Sequence, residues 1–186
     1  MSSCFTVNVS FRNVDAVRGY CTFSDGTHRT MIRAHRAIIA GSGSYHNSTM
    51  HTGVGNVNYV SYYVRHIHFE AEFCWGESIL EPVYPAYAVL FKIPYKEPLF
   101  NDSFNNIKDF ILYKEPEKVL GYDIATVTSY IQGAFWRSQP RFCIDIKKPF
   151  IVGPNDYVGV FYFIPLRSNA TAFDLKGTAK VLFDPV

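Results

Sequence analysis

The residues best suited to chemistry lie in one short run, His66-x-His68-x-Glu70. Two histidines at positions i and i+2 of a strand lie on the same face, so both imidazoles can bind one metal ion. A neighbouring carboxylate is a further ligand that such an ion accepts. Taken alone, this spacing indicates a metal centre of the kind that metalloenzymes use.

The strand that carries these histidines argues against that interpretation. Residues 58–75 contain neither Gly nor Pro and are rich in β-branched and aromatic residues, which predicts one long strand. Its apolar face carries Ile67, Phe69, Ala71 and Phe73, and its polar face carries His66, His68, Glu70 and Glu72. Cupin-like metalloenzymes need their ligands inside the barrel, and here the apolar residues occupy the inner side. We therefore expect a polar outer face, with no metal and no cofactor.

No other pattern in the chain predicts catalysis. The nucleophile motif Gly-x-Ser-x-Gly and the phosphate-binding motif Gly-x-x-x-x-Gly-Lys are both absent. The run Gly41-Ser-Gly-Ser is not framed by a strand and a helix, so it reads as a flexible loop. We expect a protein that is not an enzyme and has no catalytic residues.

Basic residues cluster near the start of the chain. Residues 12–36 hold several arginines and histidines, interrupted by Asp15 and Asp25 and interleaved with Tyr20 and Phe23. Such a cluster can bind phosphates and stack on bases, but an ordinary solvated surface has the same composition. The net charge of +2 does not by itself indicate a nucleic-acid-binding domain. The candidate nucleic-acid-binding residues are Arg12, Arg18, Arg29, Arg33 and Arg36.

The composition favours a subunit of an assembly. Charged residues make up 18% of the 186 residues, below the roughly 25% usual for globular proteins, whereas aromatics reach 17%. Such a chain often hides part of its surface in a partner. The four cysteines include no Cys-x-x-Cys pair, which favours free thiols. We expect no signal peptide and no membrane segment.

The order of apolar patterns predicts an all-β chain. We expect strands over 5–11, 18–23, 58–75, 86–93, 123–135, 141–146, 157–164 and 173–183. Residues 28–40 fit neither the helical nor the strand period, and a short helix is conceivable around Ile107 and Ile111. Tyr157–Ile164 is almost wholly apolar, which is typical of a central strand buried on both faces. Loops of unequal length favour a single-domain (1–186), eight-stranded jelly roll of two packed antiparallel sheets, ahead of an up-and-down barrel.

The chain resembles the jelly-roll capsid proteins of circoviruses and related small circular single-stranded DNA viruses. The stretch Tyr62-Tyr-Val-Arg-His-Ile-His-Phe-Glu-Ala-Glu-Phe-Cys-Trp75 is similar to a strand that opens with a Tyr pair and ends in an aromatic before a Pro-rich loop. Asp156-Tyr-Val-Gly-Val-Phe-Tyr-Phe163 and Asp174-Leu-Lys-Gly-Thr-Ala-Lys-Val-Leu-Phe183 look like the last two strands.

The resemblance implies a coat protein that self-assembles into an icosahedral T=1 shell of 60 copies in the virion. Its implied partners are other copies, a packaged single-stranded DNA and a host receptor. The residues alone do not distinguish DNA from RNA. Assembly would take place in the nucleus or cytoplasm of the host cell. Capsid proteins of this type normally begin with a long Arg-rich arm, whereas this chain reaches its first strand within a few residues. Either an arm was removed, or the 12–36 cluster binds the genome.

The long loops 41–55, 76–85 and 94–106 would provide the contacts between subunits. Rigid aromatic side chains dominate such contacts, and the outward histidines can tune them through their charge. The candidate interface residues are Tyr45, Tyr84, Tyr95, Phe100, His66 and His68. The alternative is an oligomeric jelly-roll binding module, either a trimer of the tumour-necrosis-factor type or a lectin.

Overall fold

The computed structural model describes residues 3–12, 17–22, 29–41, 61–73, 86–94, 111–125, 141–153, 156–166 and 174–185. Within these ranges almost every residue belongs to a strand. The strands are β1 (Ser3–Asn8), β2 (Phe11–Arg12), β3 (Val17–Thr22), β4 (Arg29–Gly41), β5 (Tyr62–Phe73), β6 (Ala86–Pro94), β7 (Val119–Ala125), β8 (Arg141–Ile146), β9 (Phe150–Val152), β10 (Asp156–Leu166) and β11 (Asp174–Pro185). A four-residue helix α1 (Ile111–Lys114) and a 3-10 turn over Pro116–Lys118 precede β7.

The strands form two antiparallel sheets with jelly-roll order. The first sheet runs β1-β11-β5-β8 and the second runs β4-β10-β6-β7. Most successive strands of this set lie in opposite sheets, so the chain crosses repeatedly between two layers, as in a jelly roll. Among the described residues, β3 extends the second sheet beyond β4, while β2 pairs with β11 and β9 with β5. The predicted fold class is confirmed.

The core between the sheets is built from the inward faces of both layers. Ile67 and Phe69 of β5 are completely buried, and Phe142 of β8 is almost so. Tyr162 of β10 reaches across from the second sheet, with its ring centroid 6.1 Å from that of Phe69 and 6.2 Å from that of Phe142. Its hydroxyl donates to the carbonyl oxygen of Val9 at 3.3 Å, which satisfies a fully buried polar group. Burial raises the pKa of Tyr162 well above its ordinary value.

The second sheet is buried on both faces at its centre, which explains the almost continuous apolar sequence of β6 and β10. Leu90 and Val160 belong to the core between the sheets. On the other face of the sheet, residues of β6 and β10 such as Phe91, Phe161 and Phe163 are also at most 5% exposed. The prediction of a central strand over Tyr157–Ile164 is confirmed, because β10 lies between β4 and β6.

One strand prediction near the start of the chain needs correction. The expected strand over 5–11 is divided, because β1 ends at Asn8 and β2 begins at Phe11. Between them, the Val9 amide donates to the Gly177 carbonyl, and Ser10 Oγ accepts from the Gly177 amide. A Cβ at Gly177 would lie 2.9 Å from the Tyr162 hydroxyl and 3.0 Å from a Val9 methyl carbon, so glycine alone permits this close approach.

The ambiguous residues 28–40 form β4, a strand of 13 residues. Its pairing with β10 shifts register between Val158 and Gly159, which lie opposite Ala40 and Ile38 respectively. Ile39 is the extra residue of this bulge, and it is fully buried. Because a bulge changes the parity of a strand, the apolar residues on its two sides cannot follow one period of two.

The segment after residue 106 also differs from expectation. The helix begins only at Ile111, and Ile107 lies outside the described residues. The sequence predicts a strand from residue 123, but β7 begins at Val119, four residues earlier. Pairing of Val119 with Phe91 of β6 explains the earlier start, because such pairing outweighs the charged residues before it. No helix within the described ranges is long and apolar enough to cross a membrane.

Candidate functional site

Strand β5 presents the histidines on the outer face of the first sheet. Ile67, Phe69 and Ala71 are buried, whereas the side chains of His66 and His68 are 39% and 40% exposed. This alternation follows from the two-residue period of a strand with one face in the core. The prediction that the imidazoles face outward is therefore confirmed for β5. The side chain of Phe73 lies outside the described residues.

Cross-strand pairing adds partners that are distant in sequence. Strand β8 places Asp145 opposite His68 and Cys143 opposite Glu70. On the other side of β5, strand β11 places Lys180 opposite His68. Directly opposed residues on one face of an antiparallel pair are near enough for their side chains to interact. We call the set His66, His68, Glu70, Cys143 and Asp145 the β5–β8 cluster.

The β5–β8 cluster is connected by hydrogen bonds and ion pairs. His68 Nε2 lies 2.9 Å from Glu70 Oε1, and His68 Nδ1 lies 3.5 Å from Asp145 Oδ1. His66 Nε2 pairs with the same oxygen of Asp145. The ammonium of Lys147 lies 3.3 Å from the second oxygen of Asp145. One aspartate thus holds both imidazoles in place.

The charges in the cluster shift its proton equilibria. The hydrogen bond to Glu70 and the nearby Asp145 raise the pKa of His68. The hydrogen bond to His66, followed by that to Lys147, lowers the pKa of Asp145. Burial, together with the negative charges of Glu70, Asp123 and Asp145, raises the pKa of the Cys143 thiol. Both causes disfavour the charged thiolate.

A second candidate surface lies on β7, at the edge of the second sheet. Tyr122 and Ile124 are 52% and 43% exposed, and Tyr113 of α1 is 51% exposed. The hydroxyls of Tyr113 and Tyr87 lie 3.1 Å apart, and pairing of β6 with β7 places Tyr87 opposite Ile124. We call Tyr113, Tyr122 and Ile124 the β7 patch. Single exposed apolar residues are ordinary, but three around one buried tyrosine indicate a contact surface.

The structure divides the predicted nucleic-acid-binding residues between the two sheets. Arg12 belongs to β2 and thus to the first sheet, whereas the others belong to β3 and β4 of the second sheet. Arg18 and Arg33 are direct cross-strand partners. Arg29 is the first residue of β4, and Arg36 follows Arg33 on the same strand. The backbone of all five is described, and their side chains lie outside the described part of the structure.

The predicted interface aromatics Tyr45, Tyr84, Tyr95 and Phe100 lie outside the described residues, so their role stays a prediction. Sequence reasoning did not select Cys143, Tyr122 or Ile124. The alternation of residues 141–146 does place Cys143 and Asp145 on a polar face. Their position beside β5, however, depends on pairing between segments about 70 residues apart, which no local pattern encodes.

Comparison with known proteins gives limited information. No family model matches the chain, and no curated protein matches it. Among solved structures, the chain is similar to one from a full particle of Israeli acute paralysis virus heated to 63 degrees. The likeness has 11% sequence identity and a TM-score of 0.35, and it covers 98% of this chain and 72% of the other.

Proposed function

We propose that this chain is a viral capsid protein that self-assembles into a small icosahedral shell around a nucleic acid. The observation that carries the proposal is the jelly-roll order of the strands, β1-β11-β5-β8 against β4-β10-β6-β7. One fold serves many functions, so the proposal rests on the strand order together with the sequence resemblance over Tyr62–Trp75. That resemblance carries the finer assignment to circovirus-like coat proteins, with 60 copies and single-stranded DNA.

The packing of the chain suits a shell subunit. Both inward faces are occupied by the chain's own apolar residues, including Phe69, Phe142 and Tyr162. Two sheets locked by such a core form a rigid block, since close-packed interiors resist deformation. Contacts between copies then fall to sheet edges and loops. The β7 patch is one such contact in our proposal, beside the loop aromatics predicted from the sequence.

In this proposal the protein is a component of the virion and passes through the interior of the host cell during assembly. It has no catalytic role. Its partners are other copies of itself, the packaged nucleic acid and a host receptor. Genome contact is assigned to the arginines of β3 and β4, with the pair Arg18 and Arg33 at its centre.

The assembly state of the purified protein tests the proposal. We expect particles of about 1.3 MDa, which is 60 copies of the 21.2 kDa chain, in light scattering after size exclusion. Negative-stain microscopy should show closed shells of uniform diameter. A species of about 64 kDa, which is three copies, would instead support the trimeric binding module. A stable monomer at all concentrations would contradict both.

Reversing the charge of Arg18, Arg29 and Arg33 to Glu should leave particles of normal size that contain little nucleic acid. Phosphate neutralisation supplies most of the affinity of non-specific packaging, and each reversal replaces an attraction by a repulsion. The measurement is the nucleic-acid content of purified particles by ultraviolet absorbance and extraction, with circular dichroism as the check on folding.

A matched control reverses Lys176 and Lys180 of β11 and Lys147, which directly follows β8, and changes the net charge by the same amount. This control should retain nucleic acid at the wild-type level. If both triple variants lose it equally, the effect follows net charge, and the assignment to β3 and β4 is wrong. Unchanged content in the arginine variant contradicts the assignment directly.

A further inference from the structure

Three side chains with different donor atoms converge on the outer face of the first sheet. A ring nitrogen of His68, a carboxylate oxygen of Glu70 and Cys143 Sγ all lie within 4.8 Å of one another. His68 and Glu70 are two residues apart on β5, and Cys143 is the cross-strand partner of Glu70. Paired strands fix the three backbone positions, so only side-chain rotations are needed to bring the donors onto one ion.

The residues around this trio hold it in a suitable orientation. A metal-binding histidine commonly directs its second ring nitrogen toward a carboxylate, which fixes the ring and its tautomer. Here His68 Nδ1 faces Asp145 at 3.5 Å, and Nε2 lies 2.9 Å from Glu70 Oε1. The backbone amide of Cys143 donates to Asp123 Oδ2 at 2.8 Å and anchors β8 at that residue.

The local charges favour a divalent cation. The carboxylate of Asp123 lies 2.8 Å from the backbone amide of Cys143, and Asp145 shares the outer face of β8 with Cys143, opposite His68. Carboxylates at such short range attract a divalent cation. Cations also face the cluster: Lys147 is paired with Asp145 and Arg141 with Glu72, while Lys180 lies opposite His68 on β11.

We propose that His68, Glu70 and Cys143 form a zinc site on the outer face of the first sheet, with Asp145 as the residue that positions His68. Nitrogen, oxygen and sulfur donors together suit Zn²⁺, which accepts all three in a tetrahedral site. Three protein ligands leave a fourth position open to water, as this exposed face permits. The proposal departs from the expectation of no metal, and it differs from a cupin-like centre because the ion is bound outside the sandwich.

Titration of the metal-free full chain with ZnCl₂ tests the proposal, with stoichiometry and affinity from calorimetry and Co²⁺ as a spectroscopic probe. We expect one ion per chain, a thiolate-to-Co²⁺ charge-transfer band, and a higher unfolding temperature with Zn²⁺. Cys143→Ser should remove the band and weaken Zn²⁺ binding at least about tenfold, and His68→Ala should weaken it similarly.

The chain provides a matched control in Cys4, which is also free and exposed on the same sheet. Cys4→Ser should bind Zn²⁺ like the unmodified chain and keep the charge-transfer band. Cys21 and Cys74 remain in both variants, so the difference between the two isolates Cys143. Equal binding by Cys143→Ser and Cys4→Ser, or the absence of saturable binding by the unmodified chain, would overturn the proposal. These outcomes do not depend on whether the protein assembles into shells.

Discussion

Replacing Phe69 by Ala should lower the free energy of unfolding by about 3–5 kcal/mol, which is a large part of the 5–15 kcal/mol typical of a domain. Phe69 is completely buried at the centre of β5 and packs beside the Tyr162 ring. Its cross-strand partners are Ala179 of β11 and Ile144 of β8. The small side chain of Ala179 cannot fill the space that the lost ring leaves, so a cavity remains.

Urea unfolding followed by tryptophan fluorescence measures this loss, at one protein concentration for all variants. The control is Lys180→Ala, an exposed position on β11, where we expect a change within about 0.5 kcal/mol. A loss of less than 1 kcal/mol for Phe69→Ala would mean that the two sheets do not share the core described above. An equally large loss of unfolding free energy in the control would mean that any substitution in the first sheet destabilises the protein.

The elements that sequence reasoning predicted well are those in which burial imposes a simple pattern. Strand β8 alternates strictly between buried Phe142, Ile144 and Ile146 and exposed neighbours, and its predicted bounds match the observed ones. Strand β10 is buried on both faces, and its apolar run indicated a central position. In both cases the environment of the strand is uniform along its length, so the residue types report it directly.

The elements that were missed are those in which a tertiary contact breaks the local pattern. The bulge at Ile39 changes the parity of β4, and the close approach of Val9 to Gly177 divides the first strand. The start of β7 depends on pairing with β6. None of these contacts leaves a periodic signal in its own segment, because the cause lies in a partner strand.

The candidate site likewise has a part that a local sequence pattern predicted and a part that depends on a partner strand. The outward direction of His66 and His68 followed from the alternation of β5, whereas the approach of Cys143 to Glu70 required the pairing of β5 with β8. Asp123 adds a third strand to this region, because its carboxylate accepts from the amide of Cys143 as well as from that of Ile124. Asp123 thereby links β8 of the first sheet to β7 of the second.

If the chain forms the proposed shell, we expect side chains of the β7 patch to contact a neighbouring subunit. Tyr122→Glu combined with Ile124→Glu should abolish shell formation and leave a soluble, folded subunit. Burying two large apolar side chains contributes about 1.5–3 kcal/mol each, so their loss weakens each contact by at least about a hundredfold. Two carboxylates in a contact that excludes water add a desolvation cost.

Size exclusion with light scattering measures the outcome, and circular dichroism and urea unfolding verify the fold. Ile151→Glu is the matched control for the single Ile124→Glu change, since Ile151 is 51% exposed on β9 of the other sheet and also gains one carboxylate. Loss of particles in the double variant alone supports the β7 patch, because both variants remove exposed apolar surface and add negative charge. Normal shells from the double variant would exclude the patch as the contact. Equal loss of particles in the control would exclude it too, because the loss would then not depend on a position on β7.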